Sequence, residues 1–213
     1  MSACTAPGRV DRRSAIFAGV CVSFAENPFV YDAAQALSGR RIAHRRLGQE
    51  LASAGGETVL DVGAGTGSLA RVLRPDAFYW ALDNDPVKLR RLSAKVPDAR
   101  LLECSALDIE LPDKAVDWTV CVAVAHHMND EELSVMFSEL ARVTRRRLVF
   151  LDPLASSGPG IASLLWRYDR GSYPRSAETL LAELGRRFEI DRVDRFRVFH
   201  RYVLCGGRPL AYS

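Results

Sequence analysis

Residues Val59 to Ala70 read VLDVGAGTGSLA, an apolar run that carries Asp61 and passes into glycines at 63, 65 and 67. Gly63, Gly65 and Gly67 can take positive φ and have no Cβ, so a small ligand can lie against bare peptide planes, Ala64 included, at the carboxyl end of a buried strand. About twenty residues on, Ala81-Leu82-Asp83 ends a second apolar run with a carboxylate, where a doubly wound sheet places the acid that grips a ribose diol. One carboxylate accepts both hydroxyl hydrogens of such a diol. The spacing is G-x-G-x-G. A dinucleotide fingerprint asks for glycine at position 68, where this chain has Ser68, so an NAD(P)-dependent oxidoreductase is the alternative reading. A non-catalytic binding protein with the same fold is the other.

Adjacent His126 and His127 follow a further apolar run from Val116 to Val122. Imidazole titrates near neutrality, so a histidine at the active end of a strand is a candidate general base. At least one of the two is expected to hold its loop by hydrogen bonding. His126 is favoured for the substrate side, because His127 and Met128 lead into a helix that begins at Asn129. Two neighbouring histidines without a third ligand make no metal site, and none is expected. Cys4, Cys21, Cys104, Cys121 and Cys205 are odd in number and show no C-x-x-C pair. Neither a disulfide framework nor a zinc site follows, and a reducing, cytoplasmic setting does.

These residues need a scaffold. The 213 residues are 48% hydrophobic, enough for one substantial core. A net charge of +3 with a pI near 8.7 neither demands nor excludes an anionic partner, and nucleic acid is not implied. Arg12-Arg13 before Ala15 to Ala25 has the outline of a signal peptide, but Asp11, Gly19 and the valines argue against it. No other run approaches the roughly 20 apolar residues of a membrane span.

From residue 57 apolar runs alternate with helical patterns. Strands are expected near 57–62, 77–83, 99–103, 116–122 and 146–151, and helices near 67–74, 85–94 and 130–144. That alternation predicts a doubly wound α/β sheet, mostly parallel and covered on both faces. Runs near 188–193 and 198–205, joined by Asp194 to Arg197, read as a closing antiparallel hairpin. Ahead of the sheet, Asn27-Pro28 opens one helical pattern and Arg40 to Ala54 a second, with Ile42, Leu47 and Leu51 as its apolar seam. Residues 1–54 are thus expected as an extension and helical cap on a core of 55–213, with a lid insertion at about 154–186. Asp85 before Pro86 is the expected cap of its helix. Arg145-Arg146-Arg147 read as solvated charges at a helix carboxyl end.

The glycine spacing with Asp61 two residues ahead resembles motif I of the class I S-adenosylmethionine-dependent methyltransferases. Residues 57 to 151 carry the likeness, and the small-molecule branch that includes ubiquinone and menaquinone methyltransferases is the most similar. The resemblance implies a Rossmann-like, seven-stranded sheet with an antiparallel terminal strand. It also implies S-adenosylmethionine as methyl donor and S-adenosylhomocysteine as product. Asp83 then matches the motif II acid on the ribose hydroxyls, with Asn84 against the adenine edge. Where the family usually holds the adenine amino group with an aspartate, this chain has Ser105, followed by Ala106 and, further on, Asp108. Ser105 or Asp108 takes that place, and the Ala106 amide reaches ring N1. Val122, with Cys121, flanks the sulfonium.

What the likeness implies is transfer of a methyl group to a carbon, oxygen or nitrogen of a small molecule, in secondary or quinone-like metabolism. The acceptor, its atom and the oligomeric state stay open. No N/D-P-P-Y/F loop is present, which disfavours exocyclic base nitrogens. His126 and Tyr31 are the candidate catalytic residues. Trp166, Tyr168 and Tyr173 either wall an apolar acceptor pocket or seal the lid against the core, and Gln35 lies one helical turn from Tyr31.

Overall fold

The computed structural model describes residues 41–155, 173–198 and 201–211. The helix opened by Asn27-Pro28, Tyr31, Gln35, Trp166 and Tyr168 lie outside the described residues.

Seven strands form one sheet: β1 Thr58–Val62, β2 Phe78–Leu82, β3 Arg100–Leu102, β4 Val116–Val122, β5 Thr144–Pro153, β6 Phe188–Arg197 and β7 Arg201–Pro209. The inner strands read TVLDV and VDWTVCV and bury consecutive residues, as strands covered on both faces must. The sheet order is β3-β2-β1-β4-β5-β7-β6. β1 pairs in parallel with both β2 and β4, and β4 with β5. β7 runs antiparallel to β5 and β6. The order reverses beside β1, so a crevice opens between the carboxyl ends of β1 and β4.

Four α-helices accompany the sheet among the described residues: α1 Arg41–Glu50, α2 Pro86–Ser93, α3 Asp130–Val143 and α4 Ala177–Gly185. α3 buries Leu133, Met136, Phe137, Leu140, Ala141 and Val143 against one face. Phe137 meets Phe150 of β5 edge-on with ring centroids 5.5 Å apart. Each such side chain contributes roughly 1.5–3 kcal/mol by leaving water. α4 lies inside the stretch expected to form a lid, yet Ala177, Leu180 and Leu184 join the same apolar layer as α3. α1 covers the opposite face with Ala43 and Leu47, followed by Leu51 and Ala54.

Four local expectations change. Ile42, assigned to the seam of α1, is 46% exposed, because the buried stripe is 43, 47, 51 and 54 at helical spacing. The helix expected at 67–74 is a single 3₁₀ turn, Leu69–Arg71. Gly67 at φ +80° keeps the backbone left-handed until Ser68, and Pro75 closes the segment, leaving too few residues for an α-helical nucleus. β6 continues through Asp194 to Arg197, so the residues read as a connection are strand. Arg145, Arg146 and Arg147 belong to β5 and meet Asp117, Glu57 and Asp191 respectively, so they are ion-paired rather than simply solvated.

Candidate functional site

The turn after β1 is fixed by the end of β2. The Gly63 and Ala64 amides both donate to the Leu82 carbonyl, at 2.8 and 2.9 Å. One residue further, Asp83 is 5% exposed and accepts from the Gly65 amide at 2.9 Å and the Asp85 amide at 3.0 Å. Lys88 Nζ stands 3.6 Å from its Oδ1. Asp83 therefore ties the glycine turn to β2, and its two oxygens keep lone pairs for further donors. Asp85 caps α2 by accepting from the Val87 amide at 2.9 Å, as expected from Pro86.

Gly63, Gly65 and Gly67 have φ of +73°, +55° and +80°, a region costly for other residues. A Cβ at Gly63 would stand 2.4 Å from Val124 Cγ2, so this glycine lets the turns after β1 and β4 close on each other. At Gly65 the nearest atom to such a Cβ is the Gly63 carbonyl oxygen, 4.0 Å away. Among the described residues nothing stands closer, so the backbone there can take a ligand.

A cavity of about 520 Å³ occupies the crevice, and its walls bring together Gly63, Asp83, Asn84, Ser105, Ala106 and His127. Asp61, Ala64, Gly65, Gly67 and Val122 are not on those walls. Asp61, Ala64 and Gly67 are buried. Asp61 accepts a 2.7 Å hydrogen bond from the Tyr79 hydroxyl. Burial raises its carboxyl to about 7; the Tyr79 bond opposes this and the nearby charge of Asp83 adds to it. Ser105 caps its own turn, its hydroxyl oxygen accepting from the Leu107 amide at 3.1 Å.

The two histidines differ. His126 is 2% exposed, and its Nδ1 lies 3.0 Å from Oδ1 of buried Asp152. The other Asp152 oxygen accepts from the Ala125 amide at 2.9 Å. His126 thus holds its loop, whereas exposed His127 lines the cavity, with ring centroids 4.1 Å apart. Arg175 clamps the same loop from outside. Its guanidinium donates to the Ala125 carbonyl at 3.1 Å, the Met128 carbonyl at 2.8 Å and Asp130 at 2.6 Å. Nothing local in the sequence marks Arg175, whose partners on that loop and in α3 lie 45 to 50 residues away. Tyr173, expected to wall a pocket or seal the lid, is not on the cavity either; its amide donates to the His126 carbonyl at 3.0 Å.

A second groove, of about 680 Å³, lies at the amino-terminal end of the parallel strands and is lined by Arg145, Arg146, Arg147, Arg192 and Arg208. The first four are engaged, Arg192 with Glu50 at 2.6 Å and the others as above. A doubly wound sheet binds at its carboxyl edge, and the chemistry-bearing side chains are there. Cys121 and Cys205 are buried thiols; burial pushes Cys121 well above its usual range and Cys205 up to about 12, so neither is a nucleophile. Among the described residues no group of three or more His, Cys, Asp or Glu could hold a metal ion. No described helix is long and apolar enough to cross a membrane.

Strand order, the antiparallel β7 and a ligand crevice over a glycine turn define the Rossmann-like fold of the class I S-adenosylmethionine-dependent methyltransferases. Residues 59–147 match the family model described as methyltransferase domain. Motif, fold and family model agree over this segment, which is similar to the methyltransferase domains of that class. An uncharacterized methyltransferase of Geobacillus sp. (strain WCH70) is 26% identical over 106 residues, 48% of this chain and 50% of that protein. The chain thus spans about half the length of the curated relative it matches. Among solved structures, the magnesium protoporphyrin IX methyltransferase of Synechocystis PCC 6803, which has S-adenosylhomocysteine bound, superposes with a TM-score of 0.69 at 18% identity, covering 83% of this chain and 87% of that one. N-methyltransferase NodS of Bradyrhizobium japonicum WM9, in complex with S-adenosyl-L-homocysteine, gives 0.66 at 16% identity over 86% and 89%. Geranyl diphosphate C-methyltransferase of Streptomyces coelicolor A3(2) gives 0.66 at 15% identity over 80% and 81%.

Proposed function

We propose that this chain transfers a methyl group from S-adenosylmethionine to a carbon, oxygen or nitrogen of a small molecule and releases S-adenosylhomocysteine. One observation carries the reading: the open backbone at Gly65 is held by Asp83, and Asp83 shares a cavity with Ser105 and Ala106. Those parts fit the donor's chemistry. Bound there, S-adenosylmethionine supplies a methyl group already activated by its sulfonium.

The chain's own residues have limited tasks. The turn from Gly63 to Gly67, with Ala64, receives the amino-acid end of the donor, and Asp61 beneath it sets the local charge. Asp83 accepts from the ribose hydroxyls, Asn84 borders the adenine, the Ala106 amide donates to its ring, and Val122 walls the sulfonium side. The loop from Ala123 to Met128 keeps the acceptor about 3 to 3.5 Å from the methyl carbon and excludes water. Where the acceptor is a hydroxyl, His127 takes its proton, and His126 positions that loop through Asp152. Tyr31 is a second proton acceptor in this reading. The amino-terminal helices and the insertion after Asp152 select the acceptor. The neighbours named for a porphyrin, an N-methylation and a geranyl diphosphate C-methylation support a small-molecule acceptor, natural-product or quinone-like metabolites among them. Cys104, Cys121 and Cys205 as free thiols support a cytoplasmic setting.

Calorimetry with S-adenosylmethionine, S-adenosylhomocysteine and NAD(H) tests the reading, together with transfer of labelled methyl to metabolite extracts. Binding of both sulfur compounds and label transfer are expected. Asp83→Ala removes charge-assisted acceptors worth roughly 2–4 kcal/mol, a loss of about 30- to 1,000-fold in donor affinity. Binding of NAD(H) alone sinks the proposal, as does donor binding without label transfer to any metabolite.

A further inference from the structure

In the methyltransferase reading, on which this inference rests, the donor's adenine needs an acceptor for its exocyclic amine, and the third strand offers no aspartate at the usual place. Ser105 is poorly suited to that task. Its neutral hydroxyl oxygen already accepts from the Leu107 amide at 3.1 Å, which leaves one lone pair and no charge for the amine. Asp108 is exposed and is not on the cavity wall. The described walls carry two carboxylates, Asp83 and Glu132. Asp83 belongs to the glycine turn. Glu132 stands in the first turn of α3 and lines the same cavity as Ser105, Ala106 and Leu107.

Glu132 is held in place without being used up. Its Oε2 accepts from the Asn129 amide at 2.8 Å, while its own amide donates to Asn129 Oδ1 at 2.9 Å, closing a capping box. The other carboxylate oxygen, Oε1, meets no protein donor among the described residues. It is a half-buried, preoriented acceptor on the cavity wall. We propose that Glu132 is the specificity-determining acceptor for the exocyclic amino group of the donor's purine, replacing the aspartate that the third strand lacks. The pair formed by the Ala106 amide as donor and Glu132 as acceptor then reads the adenine edge. Hypoxanthine inverts that edge: a carbonyl faces the carboxylate and an N–H faces the amide, so both contacts become repulsive.

The test compares S-adenosyl-L-homocysteine with S-inosyl-L-homocysteine by calorimetry on wild type, Glu132→Gln and Glu132→Ala. Wild type is expected to bind the adenine compound at least about 30-fold more tightly, as befits a charge-assisted bond set against an unpaired carbonyl. Glu132→Ala brings the two affinities within about threefold. Glu132→Gln keeps the capping box, since glutamine also serves at that position, and gives an intermediate ratio. Each ratio is measured on one folded protein, so a change in stability cancels. Equal binding of both ligands by wild type overturns the assignment. So does a wild-type ratio in both Glu132 variants, or a ratio that collapses only on Ser105→Ala or Asp108→Ala. Wild type that binds neither compound sinks the methyl-donor reading itself, which is a different result.

Discussion

Asp152→Ala is expected to lower the unfolding free energy by about 3–5 kcal/mol, read from urea denaturation as a fall in midpoint at nearly constant slope. The carboxylate sits at 1% exposure near the end of β5 and satisfies two groups of the loop after β4: the Ala125 amide at 2.9 Å and His126 Nδ1 at 3.0 Å. Alanine strips both of an acceptor that water cannot replace, and each lost bond in a buried site costs about 1–3 kcal/mol, more where charge is involved. Against a total of about 5–15 kcal/mol for an ordinary domain, that is a large fraction. Asp152→Asn keeps one oxygen and is expected to recover about half of the loss. Arg175 grips the same loop from outside, so the loop in Asp152→Ala stays tethered at Met128 while its buried side loosens. His127, in this loop and on the cavity wall, then loses its fixed position. A midpoint change worth less than about 1 kcal/mol for Asp152→Ala contradicts the account.

The parts of the site readable from sequence were those whose physics is local. Parallel strands buried on both faces are unbroken apolar runs, so β1, β2 and β4 stood within a residue of their expected places. Capping chemistry located α2 through Asp85 and Pro86. The errors arose where a local pattern met a backbone or tertiary constraint. The apolar residues after Gly67 look helical, but the left-handed glycine and Pro75 leave room only for a 3₁₀ turn. Ile42 is more hydrophobic than Ala43, yet the stripe that faces the sheet contains the alanine. The arginine run 145–147 carries no sign of its partners, because Asp191 reaches Arg147 only after β6 has crossed to the far side of β7. The division of labour between His126 and His127 was similarly hidden. His126, favoured from sequence for the substrate side, is instead drawn inward by Asp152, 26 residues away, and His127 is the one on the cavity wall.

Asp61→Asn is expected to stabilise the folded chain at pH 8 by about 4 kcal/mol and to leave it nearly unchanged at pH 4. Asp61 is 3% exposed in the middle of the sheet, and burial holds its carboxyl near 7 against a starting value of 3.8. The folded protein therefore keeps a proton between about pH 4 and pH 7 that the unfolded chain has already released. Unfolding then sheds a proton from this group, so the contribution of Asp61 to stability is fully present below about pH 4, falls as pH rises through that window and levels off above about 7. Asparagine has no proton to lose and still accepts from the Tyr79 hydroxyl, which sits 2.7 Å away. The cost at high pH vanishes. For a chain of this size the gain corresponds to a midpoint rise of about 8–16 °C at pH 8, measured by calorimetry in parallel with pH 4. An equal gain at both pH values places the effect in packing rather than ionisation, and no gain at pH 8 means that Asp61 is solvated as an ordinary carboxylate. A stabilising substitution beneath a glycine turn is the behaviour of a site kept for function at the expense of stability. Had the fold alone governed this position in β1, an uncharged residue of the same shape would have served better.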